Sequence, residues 1–245
     1  MKKLDGLRFL QENFPRLTVD CLFVDKVENL DEKALIKKEE AEQIWRVRGG
    51  HKVGSELNMP QGSFRDIISL KKYMKEQQRK DANMEFVIHS VSPKYFAAPF
   101  VGTLAVYNNL QNPGMRIELQ KVTKELVQNI DKKGGKRPRD WEACLILDYE
   151  FRNKFPKIRR NNDVNLEEVK NAIAVIHEVG EEIFDIYDKK GKSIDTFTRF
   201  NIYDLGQVLF DDHRSVESFV PKCECPVVPS DFKKNNVIEK KMMER

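Results

Sequence analysis

The sequence predicts an α+β protein with largely antiparallel sheets. Helical and extended patterns do not alternate regularly along the chain, which disfavours a parallel βαβ architecture. Turn signals at Ser92-Pro93 and Asn112-Pro113-Gly114 separate neighbouring apolar runs by only a few residues, as between antiparallel strands. Of the 245 residues 33% are charged and 40% are hydrophobic, a composition typical of a soluble globular protein with a sizeable core.

The first third of the chain reads as helices and strands in mixed order. Residues 4–14 place leucine and phenylalanine at helical spacing, and Pro15 ends that helix. The run "RLTVDCLFVD" reads as a strand, and "NLDEKALIKKEEAEQIW" reads as a helix capped by Asn29 or Asp31. The run "WRVRGG" is predicted to be a short strand leading into a glycine turn. A second amphipathic helix, "GSFRDIISLKKYMKEQQRK", follows it.

The rest of the chain is richer in strands. The runs "MEFVIHSVS", "FVGTLAVYN", "RIELQKVT" and "ACLILDYEFRNKF" each read as one strand. Residues 165–187 carry an apolar stripe at helical spacing and form the clearest helix. The run "DTFTRFNIYDLGQVLFDDHRS" then predicts two strands around a tight turn at Asp204-Leu205-Gly206.

These patterns divide the chain into an N-terminal α+β subdomain at residues 1–88, a strand-rich subdomain at 89–220 and a polar tail at 221–245. The sequence has neither an apolar run of about 18 residues nor a secretory h-region. We therefore expect no membrane partner and a cytoplasmic location. Cys223 and Cys225 lack the second ligand pair of a structural zinc site, so reduced thiols are the preferred interpretation.

Basic residues beside glycines form the first candidate site. Arg46 and Arg48 lie two apart on a predicted strand and therefore share a face. The glycines at 49, 50 and 54 follow, with His51 and Lys52 between them. Glycines allow close approach of a backbone to a ligand, and cations beside them suit phosphate oxygens. An exposed glycine hairpin with solvated basic side chains stays open as the alternative.

Charged residues at the end of the last predicted strand form the second candidate site. In "GQVLFDDHRS" the alternation of strand side chains places Asp212 and Arg214 on one face and Asp211 and His213 on the other. Carboxylate and amide oxygens on two adjacent strands suit magnesium, which also takes waters and nucleotide phosphates as ligands. A structural hairpin with a charged end is the alternative.

Basic runs elsewhere suggest RNA or another polyanion as an alternative partner. The stretch "DKKGGKRPRDW" has five cations in residues 132–139 and offers Trp141 for stacking, and "KIRR" adds further cations. Such runs are also typical of solvated loops. The net charge of +4 is compatible with phosphate binding but does not select it.

The order of these pieces resembles the nucleotide-binding ATP-grasp domain of the phosphoenolpyruvate synthase and pyruvate phosphate dikinase type. "WRVRGG" stands where that family has a strand ending in a phosphate-binding arginine. "FVIHSVSPKYFAAPFVGTLAV" is similar to its hinge strand, turn and following strand. "FNIYDLGQVLFDDHRS" is similar to its closing hairpin, with Asp212 at the family's glutamine and Arg214 at its arginine. The chain departs from the pattern at Arg199 and Asn201, near where a metal-binding glutamate is expected.

The resemblance implies an ATP-grasp-like fold of two α/β subdomains that binds ATP and Mg²⁺. Arg46, Arg48 and Lys52 would then contact the nucleotide phosphates, and His89 would border the adenine. Asn201 and Asp212 would hold the metal, and Arg48, Lys52 and Arg214 would act in catalysis, facing one cleft. The implied activity is that of an ATP-dependent ligase or phosphotransferase with an unknown small-molecule acceptor. The alternatives are an RNA- or polyanion-binding module and a non-catalytic scaffold that keeps the fold.

Overall fold

Two antiparallel sheets account for all the strands described, and each sheet lies in its own unit. The computed structural model describes residues 3–36, 44–51, 59–91, 98–108, 113–122, 143–192, 195–203 and 206–215. The chain divides into a first unit of residues 2–97 and a second unit of residues 98–245. Every strand pair in both sheets is antiparallel, as the sequence predicts.

The first unit has a four-stranded sheet in the order β1-β4-β2-β3. One face packs on helix α3 through an apolar core that includes Trp45, Leu70 and Phe86. The other face packs on helix α1 through Leu4 and Leu7, which meet Cys21 and Val87. The elements are α1 (Lys3–Asn13), β1 (Cys21–Val24), α2 (Glu32–Ile36), β2 (Ile44–His51), β3 (Gln61–Phe64), α3 (Ile67–Lys80) and β4 (Met84–Val91).

Three boundaries in the first unit differ from the sequence-based expectation. The helix predicted to run through Trp45 is wrong at its end, because strand β2 begins at Ile44 and buries the indole in the core. The glycine turn predicted at 49–50 is also wrong, because β2 continues through both glycines to His51. The start of the second predicted helix forms β3, and α3 begins only after Asp66, whose side chain accepts from the Ser69 amide at 2.7 Å.

The first unit extends beyond residue 88, where the sequence placed its end. Strand β4 runs to Val91, with His89 opposite Cys21 of β1 and Val91 opposite Ile44 of β2. Cutting after residue 88 would divide a strand that both neighbours need for their hydrogen bonds.

The second unit has a six-stranded sheet in the order β10-β9-β5-β6-β7-β8. The run "ACLILDYEFRNKF" does not form one long strand, since β7 ends at Glu150 and a further strand, β8, pairs back on it. The elements are β5 (Phe100–Tyr107), β6 (Gly114–Lys121), β7 (Leu145–Glu150), β8 (Lys157–Asn161), α4 (Leu166–Lys189), β9 (Thr196–Ile202) and β10 (Val208–Ser215).

Helix α4 covers one face of this sheet. The side chain of Asn165 accepts from the Glu167 amide and caps the helix start, and the apolar stripe lies buried. At Gly180 the helix comes so close to β6 that a Cβ atom would lie 2.6 Å from Met115 Sδ. No helix among the described residues is long and apolar enough to cross a membrane. The predicted tail at 221–245, with Cys223 and Cys225, lies outside the described residues.

Candidate functional site

The predicted nucleotide-contacting residues of the first unit lie on the α1 side of its sheet. Arg46 stands directly opposite His89 of β4, and Arg48 stands opposite Val87, so the three polar side chains share one face. Arg48 is 4% exposed and His89 is 5% exposed, which makes both part of the interior rather than of a solvated hairpin. The sequence prediction that Arg46 and Arg48 share a face is therefore confirmed. Lys52 lies outside the described residues.

Gly49, directly after Arg48, serves the packing of the first unit itself. Gly49 lies on the α3 side of β2, and its amide donates to the carbonyl of Pro60 at 2.8 Å. A Cβ atom at this position would lie 3.0 Å from Pro60 Cγ. The close backbone approach at Gly49 is therefore made to this protein segment, which removes one argument for a ligand-binding glycine turn.

The two strands of the closing hairpin pair as predicted and carry two aspartates and two arginines, while Asp204 and Leu205 of the predicted turn lie outside the described residues. Gly206 has φ +75°, a left-handed conformation that glycine adopts without strain, and it lies in the connection between β9 and β10. In the hairpin register Asp212 stands opposite Arg199, and Leu209 stands opposite Asn201. These side chains, together with Arg214, lie on the face opposite to helix α4.

A β-bulge corrects one part of the predicted face assignment. The register shifts between Phe210 and Asp212, so Asp211 is the extra residue and falls outside simple alternation. Its carboxylate reaches Arg199 instead of joining His213 on the α4 side. The prediction that Asp212 and Arg214 share a face is confirmed, and the prediction that Asp211 and His213 share the other face is wrong.

Each of the two adjacent carboxylates binds its own arginine in a two-pronged contact. Arg199 Nε and Nη2 donate to Asp211 Oδ1 and Oδ2 at 2.6 and 2.5 Å. Arg214 Nε and Nη2 donate to Asp212 Oδ1 and Oδ2 at 3.0 and 2.9 Å. Such paired contacts are strong and fix orientation. These contacts offset the repulsion between the two neighbouring aspartates, because each negative charge is balanced by an arginine within the hairpin.

His213 points to the other side of the sheet and anchors the hairpin beneath helix α4. It is fully buried, with Nδ1 2.7 Å from Thr198 Oγ1 and Nε2 3.2 Å from the Tyr187 hydroxyl. Desolvation lowers the pKa of His213 to about 3, although the charge of Asp212 acts in the opposite direction. Burial also raises the pKa of Tyr187 to about 12. The imidazole is therefore neutral at physiological pH and serves to hold the strand that carries Asp212 and Arg214.

The polar face of the six-stranded sheet continues from the hairpin across β5 to β8. Thr103 lies opposite Arg199 on β5, and Glu118 lies opposite Thr103 on β6. Further along, Asp148 Oδ1 accepts from Arg116 Nε at 2.6 Å and Asp148 Oδ2 accepts from Arg159 Nε at 2.9 Å. Burial raises the pKa of Asp148, but the hydrogen bonds and charges of the two arginines outweigh it and hold that pKa below its ordinary value.

Sequence reasoning singled out neither Arg116 nor the bond between Asp148 and Arg159. Arg116 and Asp148 would each have been detectable as charged residues at every second position of an apolar strand, the pattern of Arg116-Glu118 and of Asp148-Glu150. Which acid meets which base was not detectable, because Arg116 and Asp148 lie 32 residues apart.

The predicted metal site, Asn201 with Asp212, stays a prediction. Asn201 is partly exposed and offers an amide oxygen, and Asp212 offers a carboxylate on the same face. Both Asp212 oxygens accept hydrogen bonds from Arg214, at 3.0 and 2.9 Å. Magnesium commonly takes one or two carboxylates and completes its shell with water and phosphate. Among the described residues no group of three or more His, Cys, Asp or Glu side chains could hold a metal.

The basic runs assigned to a polyanion partner have different outcomes. The loop at 132–139 and Trp141 lie outside the described residues. The run "KIRR" forms most of β8, and all five residues of that strand are exposed. The predicted common cleft of Arg48, Lys52, Asp212 and Arg214 stays a prediction.

Comparison with solved structures supports the fold. ACD1 from Ca. Korarchaeum cryptofilum, solved in complex with coenzyme A, superposes with a TM-score of 0.50 at 12% identity, covering 87% of this chain and 91% of that one. The chain has an ATP-grasp-like fold. No protein-family model matches the sequence, and no curated protein matches it.

Two further solved structures superpose with lower TM-scores. The D-alanine-D-alanine ligase of Coxiella burnetii gives a TM-score of 0.45 at 12% identity over 86% of this chain. The ADP complex of PurK, N5-carboxyaminoimidazole ribonucleotide synthetase, gives 0.42 at 11% identity over 84% of this chain. The chain spans only 46% and 44% of those two proteins. The finer resemblance to the phosphoenolpyruvate synthase and pyruvate phosphate dikinase type stays a prediction.

Proposed function

We propose that this chain binds ATP with Mg²⁺ and acts as an ATP-grasp-type enzyme, a ligase or phosphotransferase, in the cytoplasm. The observation that carries the proposal is the polar face of the closing hairpin, where Asn201, Asp212 and Arg214 lie together on an ATP-grasp-like fold. An aspartate at a solvated strand end would be largely exposed, whereas Asp212 is 4% exposed and is bound by an arginine. The acceptor is a small molecule of unknown identity.

The proposed roles follow from charge and position. Arg46, Arg48 and Lys52 contact the nucleotide phosphates, and His89 borders the base. Asn201 and Asp212 hold the metal, which when bound neutralises phosphate charge. Arg214 Nε and Nη2 are oriented by Asp212, so the guanidinium is held in a defined position before any ligand arrives. Catalysis in phosphoryl transfer consists mostly of such positioning and electrostatic stabilisation.

The buried position of Arg48 strengthens its assignment. The Arg48 side chain is 4% exposed, and a charge-assisted contact with a phosphate would be strong at such a desolvated cation.

The test is a thermal-shift titration with ATP, ADP and a non-hydrolysable ATP analogue, each with Mg²⁺ and with EDTA. We expect the Mg²⁺-nucleotide to raise the melting temperature and EDTA to reduce the effect. Asp212→Asn should abolish the Mg²⁺-dependent part, whereas the exposed control Asp188→Asn should behave as wild type. No shift with any nucleotide at millimolar concentration contradicts the proposal.

Binding and turnover are then separated by measuring ADP and phosphate release in the presence of candidate acceptors. A protein that binds Mg²⁺-ATP and never releases ADP would be the non-catalytic scaffold. Binding of single-stranded RNA with a steep salt dependence, without any nucleotide effect, would instead support the polyanion-binding alternative.

A further inference from the structure

Strand β8 is an outer strand of the six-stranded sheet. It pairs with β7 on one side, and none of the other described strands pairs with its outer edge. All five of its residues, Lys157–Asn161, are exposed. An outer strand presents backbone donors and acceptors that can pair with an added strand, and in β8 their spacing is interrupted only at Arg159, where the register against β7 shifts.

Exposed apolar side chains accompany this edge. Phe155, just before β8, is 84% exposed, and Ile158 within it is 50% exposed. They are two of the three large hydrophobic side chains that stand out as exposed among the described residues. Natural proteins usually avoid exposed apolar side chains on an edge strand. The exposed apolar side chains at β8 therefore indicate a binding surface.

The charge of the segment selects the kind of partner. Lys154, Lys157, Arg159 and Arg160 fall within seven residues of sequence. Asp148 forms salt bridges with both Arg159 and Arg116. The Arg159 side chain nevertheless remains 53% exposed. Pairing of β8 with β8 of a second copy would bring like charges together across the strands, which is destabilising. An acidic segment would be attracted.

We propose that β8 is a docking strand for an extended acidic segment of a partner protein, which adds as a further strand to the sheet. Main-chain hydrogen bonds would supply affinity, as in other cases of strand addition. Alternate side chains of the added segment would meet Ile158 on one face and the cations of β8 on the other. Single-stranded RNA would use the same cations but not the edge amides, so the strand geometry favours a peptide. The docking strand is independent of the proposed nucleotide site.

The test uses a fluorescent synthetic peptide of alternating valine and glutamate, about ten residues long, so that it exceeds the length of an ordinary strand. We expect binding with a dissociation constant below about 1 mM by anisotropy. Amides of β8 should become protected from hydrogen exchange when the peptide binds. A peptide with lysine in place of glutamate, and one interrupted by prolines, should both fail to bind. The same protein is also titrated with a ten-nucleotide uridine RNA.

The decisive variant is the double substitution Lys154→Glu with Lys157→Glu. Both lysines belong to an exposed part of the chain, so the fold should survive, which the melting temperature checks. We expect peptide affinity to fall by at least about tenfold through loss of electrostatic complementarity. The matched control, Lys189→Glu with Lys192→Glu, makes the same charge change at two other exposed positions and should leave affinity unchanged.

Four results would overturn the proposal. These are the absence of peptide binding at millimolar concentration, equal binding of the lysine peptide, an equal loss in the control variant, and RNA binding without peptide binding. A dimer in sedimentation velocity that persists with peptide present and dissociates in the β8 variant would assign the edge to a second copy.

Discussion

The buried His213 should make this protein lose stability on mild acidification. Its pKa is lowered from 6.5 to about 3 in the folded chain by burial beneath α4. In the unfolded chain the imidazole takes up a proton near its ordinary pKa of about 6.5. Between these two pKa values the unfolded state binds more protons than the native state, so the free energy of unfolding rises with pH and falls as pH falls.

The size of the effect follows from the two pKa values. Stability changes by about 1.4 kcal/mol per pH unit within the window. Between about pH 7.5 and about pH 4.5 this one group should remove roughly 2.7 kcal/mol. The result changes little if the folded pKa is anywhere below about 4, because the native imidazole is then still mostly neutral at the lower pH.

The assay compares wild type with His213→Gln in urea unfolding across this pH range. Glutamine retains a donor and an acceptor for Thr198 and Tyr187 but does not titrate. The variant should be less stable than wild type near neutral pH, because hydrogen bonds and packing are perturbed, and should lose less stability on acidification. Carboxylates such as Asp148 contribute equally to both proteins. Parallel pH profiles for the two proteins would refute the reasoning.

Three further predictions concern packing and the proposed site. Gly102→Ala should unfold more readily in urea by about 1 to 3 kcal/mol, because the added Cβ would lie 2.2 Å from the Glu118 carbonyl oxygen; equal stability would contradict the close approach. Mg²⁺-ATP at a hundredfold excess over its dissociation constant should add about 2.7 kcal/mol to stability, measured as a melting shift. Arg48→Ala should weaken nucleotide binding by roughly 1.5 to 3 kcal/mol and Arg139→Ala by much less, as measured by calorimetry. The reverse order of the two variants would favour the polyanion alternative. The variant Arg48→Lys separates loss of the contact from loss of folding.

Much of the architecture was predictable because its signals are local. Each of these signals depends on residues that are close in sequence. They are the apolar stripe of α4, the turn signals before β5 and β6, and the glycine of the last hairpin. The common face of Arg46 with Arg48, and of Asp212 with Arg214, followed from strand alternation alone.

What the sequence by itself determined is therefore the type and order of most elements and the pairs of side chains that share a strand face. Only the tertiary structure decided that β2 continues through Gly49, that β8 forms, that Asp211 sits in a bulge facing Arg199, and that Asp148 joins Arg116 to Arg159. The physical reason is that each of these depends on the register between strands, and hence on partners brought together from distant parts of the chain. A shift of one residue in that register would send every following side chain to the opposite face.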